Sequence, residues 1–447
     1  MKKVITYGTF DLFHKGHYNL LKRAKELGDY LIVGVTTENY DNSRGKLNVQ
    51  DSLMERVKNV KETGLADEII IEEFEGQKIN DILKYEVDIF AIGSDWKGKF
   101  DYINEYCEVV YLERTKGISS TELRARKNNL IRIGVVGAGR IANRFIVESK
   151  YVSGVNVEGV CSRNIGSAKS FAEKHQLKFY TCDYSVLLDS VDAVYIASPH
   201  LTHYDYVKNA LLNNKHVLCE KPMVLSSEQA KELYSIANER KVVLMEAIKT
   251  AYCPGFIRLI SLAKSGIIGN IKSIDAKFTK LVDYDVREMK KDNCGGSITE
   301  LATYPLLAIT KLLGDNITEV RFYSHFNDEV DIYTRANIIY KNAIATATVG
   351  LGVKSEGDLV ISGTKGYIYV PSPWWKTEYF EVKFENFNYN KKYFYKFEGD
   401  GLRYEISDFI SLINNNIIEN YKLTQKESIK IIEVIEQFLN RDNVHIF

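Results

Sequence analysis

The stretch that most constrains this chain is Ile131-Arg-Ile-Gly-Val-Val-Gly-Ala-Gly-Arg-Ile-Ala142. A β-branched run climbs into Gly137-x-Gly139-x-x-Ala142, and a helical pattern follows from Asn143. Gly137 suits a tight turn, Gly139 lets backbone approach a pyrophosphate, and Ala142 lets helix pack on strand. The N-terminus of the following helix, with Arg140 and Ile141 beside the glycines, adds oriented N–H groups for an anion. The segment therefore reads as a dinucleotide-binding turn. Such a turn normally opens a protein, yet some 130 residues precede it. Those residues carry a nucleotide site of their own, so the chain reads as two enzymes in series.

In the first 129 residues, Val4-Ile5-Thr6-Tyr7 is a short buried strand followed by Gly8, Thr9, Phe10, Asp11 and the pair His14 and His17. A helix is expected from near His17, with apolar spacing through Leu20, Leu21, Ala24 and Leu27. Strands Tyr30–Val35 and Val87–Ile92 give a parallel α/β pattern, in which ligands sit beyond the carboxyl ends of strands. His14 and His17, three apart at a helix start, can face one phosphate group. Phosphate attack on a nucleotide α-phosphate builds charge on bridging oxygens, which fixed donors stabilise. Two more segments converge on the same edge: Gly93–Phe100, with Asp95, and Arg114–Thr121. The histidine pair alone reads better as a structural helix start. All three segments in order make a site.

Lys+Arg and Asp+Glu are equal at 59 each, so neither a nucleic acid nor a membrane surface is implied as partner. The start lacks the apolar core of a signal peptide and no run reaches about 18 apolar residues, so a cytoplasmic protein is expected. The six cysteines lack metal or redox spacing and read as free thiols, and no protein metal-ligand set emerges.

Beyond the glycine turn, strand Val155–Cys161 ends at Ser162-Arg163, where an NAD enzyme usually places an acidic side chain for the ribose. A hydroxyl with a guanidinium suits a 2′-phosphate, favouring NADP(H). Next come Ser198-Pro199 after a strand, then Glu220-Lys221-Pro222 after another. A lysine at the carboxyl end of a parallel strand points into the crevice and can polarise a carbonyl. Taken alone, the tripeptide would be a surface turn. Glu300 and Tyr304, four apart after the Gly295-Gly296 helix start, share a face. A phenol near a lysine is a credible proton donor, although an isolated tyrosine in a chain with 29 is usually packing. Farther on, Ala343–Gly350 and Leu359–Ile361 alternate as strands, Tyr404–Ile413 and Lys426–Phe438 have helical spacing, and Trp374-Trp375 reads as core or dimer packing. The junction at Arg124–Asn129 is short and polar, which points to docked rather than tethered domains.

These motifs resemble two known families. Tyr7-Gly-Thr-Phe-Asp-Leu-Phe-His-x-Gly-His17, Asp95-Trp-x-Gly-Lys-Phe100 and Arg114-Thr-x-Gly-Ile-Ser-Ser-Thr121 are similar to the glycerol-3-phosphate cytidylyltransferases. That resemblance implies CTP, Mg2+ and a polyol phosphate as reactants and a CDP-polyol as product. It puts Gly8, Thr9, Phe10, Asp11, His14 and His17 around CTP, Lys46 and Arg114 on phosphates, Asp95 on the nucleotide, and Ser119, Ser120 and Thr121 at the triphosphate. Gly64 stands where glycerol-phosphate members carry an arginine, which makes a larger acceptor plausible. From Ile131 onward the chain resembles the glucose–fructose oxidoreductase/inositol dehydrogenase (Gfo/Idh/MocA) family, through the glycine turn, His203, Lys215–Pro222, Met245-Glu246-Ala247, Gly295-Gly296 and Gly363-Thr-Lys-Gly366. The resemblance implies a homodimer, with Lys221 as catalytic lysine, Tyr304 as proton donor, and Glu220 and Glu246 lining the site. Glu300 stands where many members have Asp, and Lys249 replaces a common residue in the substrate pocket, where it reads equally as a contact for an anionic group or as a solvated lysine.

The expected architecture is α/β: a Rossmann-like nucleotidyltransferase domain over 1–129, a dinucleotide-binding Rossmann domain over 130–250, and an α/β domain with an open antiparallel sheet over 251–447. The expected function is NADPH-dependent reduction of a ketose phosphate followed by cytidylylation, with fructose 6-phosphate, mannitol 1-phosphate and CDP-mannitol as the favoured series. Glucitol, ribitol and glycerol products stay open, as does an oxidoreductase half that serves only as scaffold.

Overall fold

The computed structural model describes residues 1–43, 49, 51–74, 76–113 and 130–447, with Asn39, Asn42, Ser43 and Asp95 described by backbone alone. Lys46, Arg114, Ser119, Ser120, Thr121 and the junction 124–129 lie outside the described residues. The chain divides into two compact units, Met1–Leu130 with Lys150–Asn156, and Ile131–Ser149 with Val157–Phe447. Among the described residues, no helix is long and apolar enough to cross a membrane.

The first unit is built on five parallel strands, β1 (Lys3–Gly8), β2 (Tyr30–Thr36), β3 (Glu68–Glu72), β4 (Ile89–Gly93) and β5 (Glu108–Leu112), in the order β3-β2-β1-β4-β5. The strand expected third in the chain is thus the fourth. Glu68–Glu72 also pairs, although its apolar run is only three isoleucines flanked by acids. Apolar side chains fill both faces of this sheet, Val4, Val33 and Ala91 on one side and Ile5, Ile32 and Phe90 on the other. This burial on both faces is what an all-parallel sheet requires. The first helix runs Lys15–Lys25, starting earlier than its apolar spacing suggests, because His14 caps it and accepts from Gly16 N–H at 3.0 Å. Gly64 lies just beyond the helix Leu53–Glu62 with φ of +67°, the left-handed conformation that ends helices cheaply only with glycine.

The second unit holds two sheets. Strands β6 (Ile131–Val136), β7 (Val155–Cys161), β8 (Phe179–Thr181), β9 (Ala193–Ile196), β10 (His216–Glu220) and β11 (Leu244–Ala247) are ordered β11-β10-β9-β6-β7-β8. The order reverses between β6 and β9, the switch point at which such sheets bind ligands. The remaining strands, β12 (Ile271–Thr279), β13 (Ile317–Asn327), β14 (Val330–Tyr340), β15 (Ile344–Gly350), β16 (Leu359–Gly363), β17 (Tyr367–Val370), β18 (Tyr379–Lys383), β19 (Lys391–Phe394) and β20 (Val444–Ile446), form one nine-stranded sheet. It is mixed rather than purely antiparallel, since β12 pairs β15 and β13 pairs β20 in parallel. Trp374 is fully buried, donating to the Lys277 carbonyl at 2.8 Å, and Trp375 stacks on Phe278 at 3.7 Å. Trp374 is core, and Trp375 is partly exposed beside it.

Candidate functional site

In the first unit the segment after β1 is held from below. Arg56 is completely buried and donates to the carbonyls of Thr9 and Thr36 at 2.9 and 2.8 Å. Thr9 donates its hydroxyl to Asp41 at 3.0 Å, and Asp11 accepts from Asp51 N–H at 2.9 Å. Phe10, with φ of +53°, is buried against the helix start. These three side chains help shape the loop that leads to the His14–His17 pair. Their rings stack with centroids 3.9 Å apart, one at the helix cap and the other in its first turn. Asp95 lies in the short turn Ser94–Trp96 that follows β4, at the same carboxyl edge as Gly8.

In the second unit, the carboxyl ends of the parallel strands open on a cavity of about 560 Å³. Gly137, at φ of +102°, bends the chain where a Cβ would lie 2.6 Å from the Ala197 carbonyl oxygen, whereas a Cβ at Gly139 would meet nothing within 4 Å. The helix Arg140–Ser149 begins directly after it, three residues before the spacing suggested, and aims its N-terminus at the cavity. Ser162 and Arg163 line the same wall, beyond β7.

The opposite wall gathers Glu220, Lys221, Lys249, Glu300 and Tyr304. Glu220 is fixed by the Tyr195 hydroxyl at 2.6 Å, and Tyr195 in turn stacks on Phe145 at 3.8 Å. Burial raises the Glu220 carboxyl, opposed by the Tyr195 hydrogen bond and the Lys221 charge. The expected single helix carrying Glu300 and Tyr304 is two helices, Ser297–Leu301 and Thr303–Leu313. The Glu300 carbonyl at the end of the first is left for an outside donor, and Lys221 Nζ takes it at 2.8 Å. That bond holds the ammonium 5.7 Å from the centre of the Tyr304 ring. Burial, then the charges of Glu220 and Glu405, push the Tyr304 phenol far up, so it stays protonated and able to donate. The Glu300 carboxylate pairs with Arg287 at 2.9 Å.

His203 is fully buried, with Nε2 2.8 Å from the Ser198 carbonyl and Nδ1 3.0 Å from that of Pro222. Burial lowers its affinity for a proton. It stands between the Ser198-Pro199 turn and the Lys221-Pro222 turn, within reach of a carbonyl of each. Glu246 departs from expectation: it is 1% exposed and does not line the cavity. Its carboxyl accepts from Met223 N–H at 3.0 Å and from Ser428, and burial pushes it up to about 7. Glu246 positions the turn rather than meeting substrate. Several cavity residues had no sequence signal, among them His200, Arg144, Arg287, Glu288 and Glu405. Each comes from a helix or loop whose own periodicity reports only packing.

Residues 131–248 match the family model described as an oxidoreductase family with an NAD-binding Rossmann fold, residues 256–369 its C-terminal domain, and residues 5–126 a cytidylyltransferase-like model. The glycerol-3-phosphate cytidylyltransferase of Bacillus spizizenii is 55% identical over 125 residues, 28% of this chain and 95% of that protein. The trans-1,2-dihydrobenzene-1,2-diol dehydrogenase of Xenopus laevis is 30% identical over 251 residues, 54% of this chain and 76% of that protein. The chain belongs to both families, cytidylyltransferase and GFO/IDH/MocA oxidoreductase, in one polypeptide. The oxidoreductase unit also shares its fold with a 3-ketoreductase from Actinomadura kijaniata, at a TM-score of 0.64 and 23% identity over 71% of this chain and all of that one. The cytidylyltransferase unit accounts for the β1 turn with its two histidines, and the oxidoreductase unit for the cavity beneath Gly137.

Proposed function

We propose that the chain makes a CDP-activated polyol: the oxidoreductase unit reduces a ketose phosphate with NADPH, and the cytidylyltransferase unit joins the polyol phosphate to CMP from CTP. The observation that carries this reading is the single cavity with a glycine turn on one wall and Lys221 and Tyr304 on the other. A bare, outward-facing Gly139 and the helix N-terminus behind it fit a pyrophosphate, and Ser162 with Arg163 fit a 2′-phosphate. The 3-ketoreductase sharing the fold was solved with NADP, in line with that choice.

When bound, the nicotinamide supplies a hydride to the carbonyl carbon. Lys221 polarises the carbonyl oxygen, and Tyr304 delivers the proton that completes the alcohol. Six cationic against four acidic side chains line the cavity, which favours an anionic substrate such as a sugar phosphate. In the other unit, His14 and His17 hold the triphosphate while a polyol phosphate oxygen attacks the α-phosphorus and pyrophosphate leaves. Among the described residues no three-ligand metal cluster occurs. Mg2+ commonly binds through substrate phosphates with few protein ligands, so it would enter with CTP.

Fructose 6-phosphate, mannitol 1-phosphate and CDP-mannitol are the favoured series, because Gly64 stands where glycerol-phosphate members carry an arginine, which suits a larger acceptor. A second series, dihydroxyacetone phosphate to glycerol 3-phosphate to CDP-glycerol, is favoured by the 55% identity to a glycerol-3-phosphate cytidylyltransferase. Each ketose phosphate is supplied with NADPH, CTP and Mg2+, and absorbance loss and pyrophosphate are followed together. Pyrophosphate release that depends on prior NADPH oxidation supports the reading. NADPH left unoxidised with every ketose phosphate, while added polyol phosphates are cytidylylated, would sink the reductase half.

A further inference from the structure

We propose that Glu405 is a substrate-binding residue of the oxidoreductase cavity, taking up a hydroxyl of a polyhydroxylated chain. The inference rests on the reductase reading above and names what that site grips. Glu405 stands in the first turn of the helix Leu402–Asn414, which starts at Gly401 with φ of +83°. The residue before that glycine, Asp400, offers its carbonyl to Lys249 Nζ at 2.6 Å, and its carboxylate lies 3.6 Å from Arg144. The helix start, Lys249 and Arg144 thus converge on one wall, and Glu405 faces the cavity together with Glu220 and Tyr304.

The residue is 1% exposed, yet its Oε2 has no hydrogen-bond partner. A buried polar atom left unpaired costs about 1–3 kcal/mol, so native structures seldom keep one unless a ligand or water completes it. Neighbouring Glu220 is already engaged by Tyr195 and by the Lys221 N–H. Burial, and then the Glu220 charge, raise the Glu405 carboxyl well above the usual range, so it enters the cavity as a neutral acid. A neutral carboxyl both donates and accepts one hydrogen bond, which matches an alcohol and not an ammonium. It also spares an anionic substrate the repulsion of a second carboxylate beside Glu220. An apolar chain of equal length would leave Oε2 unpaired, and sites built around such a bond reject the analogue lacking it.

The test titrates the full chain, loaded with NADP+, with D-mannitol 1-phosphate and with hexyl phosphate, by calorimetry. The wild type should bind the hexitol phosphate at least about tenfold more tightly than its hydroxyl-free counterpart, one hydrogen bond's worth of preference. In Glu405→Leu that ratio should fall to within about threefold, while Glu405→Gln, which also donates and accepts, should keep most of it. NADP+ affinity should be the same in all three. An unchanged ratio in Glu405→Leu, or no binding of either phosphate to the NADP+-loaded wild type, overturns the assignment and leaves the cofactor reading standing. Failure to bind NADP+ at all takes down the reductase reading and this one with it. If Glu405→Leu does not fold, infrared difference spectra of wild type against Glu405→Gln decide. A carboxylic acid band that shifts when mannitol 1-phosphate is added supports the contact, and an unmoved band refutes it.

Discussion

Replacing Arg403 by methionine should destabilise the oxidoreductase unit by about 3–5 kcal/mol. Arg403, on the Glu405 helix, forks onto Glu148 of the helix that follows the glycine turn. Nη2 reaches Oε1 at 2.7 Å and Nε reaches Oε2 at 3.0 Å, with both side chains about 5% exposed or less. Methionine keeps much of the aliphatic volume but removes the guanidinium donors, so Glu148 is left charged and buried with the residue-403 backbone N–H, at 3.3 Å, still donating to it. Breaking one partner of such a pair costs far more than the pair contributes net, because the survivor has nowhere to place its charge. At roughly 2–4 °C per kcal/mol for a large domain, the melting transition should drop by about 10 °C. The transition belonging to this unit is recognised by its upward shift with NADPH, since a ligand of the native state stabilises only what it binds. The double variant Glu148→Met/Arg403→Met removes both charges and should recover most of the loss. A drop of less than about 3 °C in the single variant, or a double variant no better than the single, would refute the reasoning.

Lys221→Met should lower NADPH oxidation by about 10²–10³-fold with cytidylyl transfer to added polyol phosphate unchanged, and His14→Ala should do the reverse in coupled assays. Loss of both partial activities in one folded variant would refute separate sites. Arg163→Ala should raise KM for NADPH about tenfold and leave KM for NADH nearly unaltered; equal effects on both cofactors would remove the 2′-phosphate assignment. For Glu246, whose folded-state value of about 7 lies above its ordinary 4.5, protonation favours the native state. Its stabilisation is complete below about pH 4.5 and is lost as pH rises to 7, some 3 kcal/mol in all. Urea midpoints of Glu246→Gln should therefore vary less between pH 5 and 8 than those of the wild type, and parallel curves would contradict this.

What sequence could disclose here follows from how each feature is encoded. The turn at Gly137 and Gly139 is legible because only glycine tolerates the close approach of the Ala197 carbonyl and only an open backbone serves a phosphate. Lys221 and Tyr304 were found as residue types at strand and helix ends, but the break at Ala302 that frees the Glu300 carbonyl for Lys221 leaves no mark in an apolar periodicity. Glu405 belongs to no motif and sits inside an amphipathic pattern in which a buried acid looks like a lapse. Thr9 and Asp11 fall within a recognisable nucleotide loop, but that their side chains also bond Asp41 and the Asp51 N–H depends on residues far along the chain, which the loop motif does not encode. Alternation is visible along strands such as β13, β14 and β16 of the nine-stranded sheet. The parallel pairings of β12 with β15 and of β13 with β20 depend on strand order, which alternation does not encode.

The ring of His203 stands between two carbonyl oxygens at hydrogen-bond distance, and its enclosure keeps it neutral. A neutral imidazole owns a single N–H. The Ser198 turn at the cavity and the buried Pro222 turn thus compete for one proton: while one carbonyl accepts it, the other faces a lone pair. The two tautomers differ in no heavy atom, so which of the two turns the ring secures is decided by the placement of one hydrogen.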